Sequence, residues 1–141
     1  MSFLSFFVLC GLKNLTKYLL KFANCSIDVS DGLIDDLSKM INRQNLSFHL
    51  FEKNIPISKN LSNLIKIKKL KKINLISNGD DYQVLFTADV DRARIIQNAS
   101  KTTGIKITKI GKIISGKNRS LIFDEKGKQI QAKSKGYIHR F

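Results

Sequence analysis

The sequence predicts a domain that mixes helices with strands, and three observations carry the prediction. Cys25 to Val29 is a short apolar, β-branched run of the kind a buried strand needs, and a helical pattern follows it directly. Tyr82 to Thr87 repeats the arrangement, with Asp89 to Thr103 behind it as a helix. Ser120 to Phe123 and Lys128 to Ala132 flank Asp124-Glu125-Lys126-Gly127, which is a hairpin signal.

In chain order, Met1 to Leu12 is apolar and contains Phe3, Phe6, Phe7 and Val8. It is far shorter than the roughly 20 residues that span a bilayer, and Lys13 follows the apolar run rather than preceding it, unlike a signal peptide. Residues 1–22 are therefore expected to be an irregular or truncated N-terminal segment, with a helix over Lys13 to Ala23. After the strand at Cys25, Ser30 is a good N-cap, and Leu33, Leu37, Met40 and Ile41 recur at helical spacing up to about Gln44. Leu46 to Phe51 alternates as a half-buried strand, with His49 on its solvent side. Asn60 to Ile73 reads as an amphipathic surface helix with a solvated lysine face. Val90, Ala93, Ile96 and Ala99 keep helical spacing, and Gly104 supplies the stop. Ile105 to Ile114 is expected as a strand interrupted at Gly111.

At 141 residues, with 43% hydrophobic and 26% charged, the chain has the length and make-up of one folded domain. The formal net charge of +14 invites a nucleic acid or an anionic surface as partner. Against that, the cationic side chains are mostly lysine, whereas bidentate recognition of phosphate or guanine prefers arginine. Cys10 and Cys25 have no CxxC spacing, and His49 and His139 no metal-ligand spacing, so a zinc site is not indicated and a reducing, cytoplasmic setting is expected.

The acids are few and concentrated. Of eleven, Asp28, Asp31, Asp35 and Asp36 lie close together, and Asp80 and Asp81 form a second knot beside Gly79. Like charges held together cost energy unless a cation relieves them. A strand end followed by a helix N-terminus suits a phosphate, and paired carboxylates suit Mg²⁺, which bridges to phosphates through hard oxygen ligands. An N-capped helix with an acidic first turn accounts for the first cluster equally well. Asp35 and Asp36, further along the helix, read as solvated face residues.

Ser26-Ile27-Asp28-Val29-Ser30-Asp31-Gly32-Leu33, then Gly79-Asp80-Asp81-Tyr82 with Val84-Leu85-Phe86, and finally Gly136-Tyr137 with His139 and Phe141 resemble the ordered motifs of thiamine-monophosphate kinases. The resemblance runs from about Ala23 to Phe141, the family's C-terminal domain; the family is grouped with aminoimidazole ribonucleotide synthetase. Asn78 stands for a family glycine, Asp80 for a glutamate and Gln83 for an acid, and Arg140 separates His139 from Phe141.

The resemblance implies an α+β layered domain with a mixed sheet flanked by helices, like the C-terminal domain of aminoimidazole ribonucleotide synthetase. It implies a Mg²⁺-dependent transfer of the ATP γ-phosphoryl to thiamine monophosphate. On that footing Asp28 holds one Mg²⁺ and Asp31 another, Ser30 touches ATP, and Asp80 and Tyr137 contact the substrate. The family's N-terminal ATP and magnesium domain, which also forms its main dimer interface, has no counterpart in the motifs, so the missing half or its separate chain is an expected partner. No membrane partner is expected. The competing reading is a non-catalytic basic module that binds nucleic acid on the same fold.

Overall fold

The computed structural model describes residues 5–11, 15–42, 44–76 and 83–131, with side chains described from residue 15 onward. A strand that is apolar on both sides must be covered on both faces, and β4 (Gln83–Asp89) shows it. Its Val84, Phe86 and Ala88 point into one buried cluster while Leu85 points into another on the opposite face. Around β4 lies a seven-stranded sheet in the order β2-β4-β1-β5-β3-β6-β7, made with β1 (Ser5–Gly11), β2 (Cys25–Asp28), β3 (Leu46–Phe51), β5 (Ile107–Ser115), β6 (Leu121–Phe123) and β7 (Gln129–Ile130). Neighbours are antiparallel except β3 and β6, so the sheet is mixed.

The stretch 1–12, expected to be irregular, contributes β1, which pairs with β4 on one side and β5 on the other. β1 is therefore an inner strand of the sheet rather than an edge. The expected helix after it is present as α1 (Thr16–Phe22).

Helices cover both faces. On one, α2 (Leu33–Met40) buries Leu33 and Leu37 with Phe48, Leu50, Leu85, Ile110 and Ile113. On the other, α1 and α5 (Ala93–Thr103) enclose Phe22, Phe86, Ile96 and Ala99, with the Phe22 and Phe86 rings 5.4 Å apart. The helix start expected at Asp89 is a short 3-10 turn, Val90–Arg92, and Gly104 ends α5 in the left-handed conformation as expected.

Gly111 does not interrupt β5. The register opposite β1 slips between Phe7↔Gly111 and Val8↔Lys109, leaving Ile110 as the extra residue of a bulge. Ile110 and Ile113, an odd number of residues apart, would face opposite sides of a regular strand; the bulge lets both enter the same core. The basic helix is shorter than expected. It runs as α3 (Lys59–Lys68), is capped by Ser58, and stops where Lys69 turns left-handed at φ 49. The chain then resumes as α4 (Lys72–Ile76), and Ile73 is buried while its N–H donates to Glu52 Oε1 at 2.7 Å. On α3 no residue is fully buried and Ile67 is exposed, so it is a surface helix as expected. The hairpin of β6 and β7 closes through Asp124, whose Oδ1 accepts from the N–H groups of Lys126 and Lys128 at 2.9 and 2.8 Å.

Candidate functional site

β2 is an edge strand, and its last residue is Asp28. Asp28 is paired with Val84, so its exposed side chain lies on the α1–α5 face, opposite Ile27. Val29 then turns into the core, and its N–H donates to the Gln83 carbonyl at 2.8 Å. That bond sets Gln83, the residue after Tyr82 in the sequence, beside the loop of the first motif.

The loop Ser30-Asp31-Gly32 joins β2 to α2. Ser30 is not the N-cap. Gly32 occupies that place with φ 120 and ψ 145, a conformation nearly reserved for glycine, and no side chain caps the helix there. The side chain that organises the loop comes from α2 itself. Asp36 Oδ2 accepts from the Ser30 N–H at 2.8 Å and the Asp31 N–H at 3.0 Å. Its expected place on a solvated helix face is corrected: Asp36 is 1% exposed. It follows Leu33 by three residues and adjoins Leu37, so helical geometry carries it to the buried side. Two backbone N–H groups then satisfy a carboxylate that burial alone would penalise.

Lys39 completes the cluster. Its ammonium donates to Asp31 Oδ2 and, at 3.0 Å, to Asp36 Oδ1. The hydrogen bond to Asp31, followed by that to Asp36, holds the Lys39 pKa above its ordinary value. Asp31 is one quarter exposed and Lys39 about half exposed, so the pair sits at the rim of the protein.

The donor chemistry fits a hard cation. Asp31 already carries a positive group, which shows its carboxylate aimed where a cation can reach it. Asp28 and Asp31 are three residues apart, so the chain holds their Cα atoms within about 11 Å of each other. Among the described residues no group of three or more His, Cys, Asp or Glu converges as a ready-made metal cage. Mg²⁺ characteristically takes one or two carboxylates and completes its shell with water and phosphate oxygens. Asp80 and Tyr137 lie outside the described residues. The structure thus brings together Ser30, Asp31, Asp36 and Lys39, with Asp28 at the adjoining strand end on the other face.

His49 lies opposite Phe48 and Leu50, as the alternation predicts, and it is half-buried, its ring edge-on to Phe123 at 5.5 Å. Burial, and then the Lys112 and Arg119 charges, push its imidazole below the usual range. Among the described residues no helix is long and apolar enough to cross a membrane.

No family model matches the chain. It is similar to curated thiamine-monophosphate kinases. The protein from Buchnera aphidicola of Schizaphis graminum is 34% identical over 117 residues, covering 83% of this chain and 36% of the relative. That from Caulobacter vibrioides is 26% identical over 120 residues, covering 83% and 34%. The chain therefore spans about a third of the length of these relatives. Among solved structures, thiamine-monophosphate kinase from Stenotrophomonas maltophilia superposes with a TM-score of 0.70 at 21% identity, over 89% of this chain and 51% of that one. AaThiL complexed with AMPPCP and TMP gives 0.68 at 26% identity, over 90% and 37%. The hydrogenase maturation protein HypE of Escherichia coli gives 0.72 at 10% identity, over 93% and 49%, a likeness of fold alone. By sequence and by fold, the chain is a homologue of the thiamine-monophosphate kinases and has the α+β, aminoimidazole ribonucleotide synthetase-like architecture that they share with HypE.

Proposed function

We propose that this chain supplies the C-terminal domain of a Mg²⁺-dependent ATP:thiamine-monophosphate phosphotransferase that forms thiamine diphosphate. The observation that carries the reading is the Asp31 carboxylate, presented to a positive group at the rim of the strand-to-helix loop in a homologue of these kinases. In this reading Asp28 and Asp31 hold magnesium, and Ser30, exposed between them, contacts ATP. Asp80 and Tyr137 contact thiamine monophosphate. The motif-bearing residues 23–141 belong to the C-terminal domain, whose sheet also takes in β1 and whose second core takes in α1. The rest of the ATP and magnesium site comes from the family's N-terminal domain, in the same or a separate chain, and the complete enzyme is a homodimer working in the cytoplasm.

Phosphoryl transfer asks a protein mainly for positioning and charge neutralisation. Bound magnesium would draw negative charge from the phosphoryl oxygens. The chain's own part is to fix the loop: Asp36 holds the Ser30 and Asp31 backbone, and Gly32 supplies the turn into α2. The test is calorimetric titration of the chain with Mg²⁺-ATP, beside Asp28→Asn and Asp31→Asn. Weakened binding in both variants, with unchanged far-UV circular dichroism, supports the reading. Equal binding by all three overturns it. A nucleic-acid module would instead bind RNA through the exposed lysines of α3, with an affinity that falls steeply with salt and drops in Lys66→Ala.

A further inference from the structure

We infer that Lys39 is an internal stand-in for the cation at Asp31: it occupies the carboxylate until a divalent ion takes it, and then stays tethered to the buried Asp36. The inference rests on the reading of Asp31 as a magnesium ligand and goes beyond it, because it makes cation binding an exchange with a side chain of the same protein.

Three features of the cluster support it. Lys39 is bound to two carboxylates of unequal standing. Asp36 is 1% exposed and tied to two backbone N–H groups, so it cannot leave its place without breaking the loop. Asp31 lies at the rim, and the Lys39 side chain is 49% exposed, with a flexible stem that can shift while keeping its contact with Asp36. An ammonium that is itself half exposed, on a carboxylate at the rim, is also a modestly held partner, since water competes for both groups. Lys39 therefore spares the loop an unbalanced pair of acids when no cation is present, and gives up Asp31 at small cost when one arrives. Lys39 thus tunes the affinity of the site downward.

The test uses the full chain and Mn²⁺ alone, with free Mn²⁺ counted by electron paramagnetic resonance. Lys39→Met removes the charge and keeps the stem. Removing one competing unit charge from this partly exposed carboxylate should tighten Mn²⁺ binding roughly three- to tenfold. Lys39→Arg keeps the competitor and should remain within about twofold of the unsubstituted chain. Adding Asp31→Asn to Lys39→Met should abolish the gain. Unchanged or weaker binding in Lys39→Met, while the unsubstituted chain binds Mn²⁺, overturns the inference and leaves the magnesium reading standing. Absence of Mn²⁺ binding in every variant overturns both. A second measurement needs no substitution at Lys39. With lysines ¹³C-dimethylated, the Lys39 resonance should move on saturation with Mg²⁺, and not in Asp31→Asn; a Lys39 signal indifferent to Mg²⁺ overturns the exchange.

Discussion

Replacing Asp36 by alanine should cost the protein more stability than replacing any other acid of the first cluster. The substitution deletes two hydrogen bonds from backbone N–H groups, at 2.8 and 3.0 Å, and an ion pair with Lys39 at 3.0 Å. Hydrogen bonds to a charged partner are each worth about 1.5–3 kcal/mol net. Ser30 is exposed and Asp31 partly so, which lets water replace some of what is lost, and the half-exposed Lys39 adds little. A loss of about 2–4 kcal/mol follows. Asp36→Asn keeps an amide oxygen that can accept from the same N–H groups, so it should lose only about half as much. Asp28→Asn, at an exposed position, should stay within about 0.5 kcal/mol of the unsubstituted chain. Urea unfolding followed by circular dichroism reads all three through the midpoint at constant slope. If Asp36→Ala unfolds at the same urea concentration as Asp28→Asn, the carboxylate does not hold the loop and the reasoning fails.

Further outcomes are expected from the same fold. Leu50→Ala, at a fully buried site facing α2, should cost about 2–5 kcal/mol in urea unfolding. Gly32→Ala forces a side chain into a backbone conformation at φ 120 and should cost about 1–3 kcal/mol, detectable as a lowered melting temperature. His49 is held neutral by burial and by Lys112 and Arg119, so its folded pKa lies below the 6.5 of the unfolded chain. The unfolded state then binds the proton more readily, and this contribution to stability is complete above pH 6.5 and lost as pH falls through the folded pKa. Unfolding midpoints measured between pH 7.5 and pH 5 should fall less steeply in His49→Gln than in the unsubstituted chain.

Much of the architecture was legible because it is written locally. Apolar runs and helical spacing located β2, α5 and the β6–β7 hairpin, and Gly104 marked the end of α5. β1 escaped because Ser5–Gly11 has no alternation to mark it, and its place inside the sheet rests on pairing with β4 and β5, which are distant in sequence. Ser30 satisfied the rule for an N-cap yet lost the position to Gly32, since a cap is decided by φ as well as by side-chain chemistry. The role of Asp36 depends on reaching back five and six residues to the loop, a contact that no composition rule contains. Its burial was nonetheless readable from its place beside Leu37 and three residues after Leu33. The end of α3 at a left-handed Lys69, where neither glycine nor asparagine stands, had no signal in the sequence. Asp28, Ser30 and Asp31 were found at the strand-to-helix junction where the motif put them, while Lys39 was not singled out, because a lone lysine on a helix resembles every other solvated one.

The most direct measurement mixes this chain with the complementary two-thirds of the Buchnera relative and follows release of ADP from ATP with and without thiamine monophosphate. Substrate-dependent release is expected only when both pieces and Mg²⁺ are present, and is lost in Asp31→Asn with folding intact. Release that is unaffected by Asp31→Asn, or its absence while the chain binds RNA in a salt-dependent manner, would contradict the account.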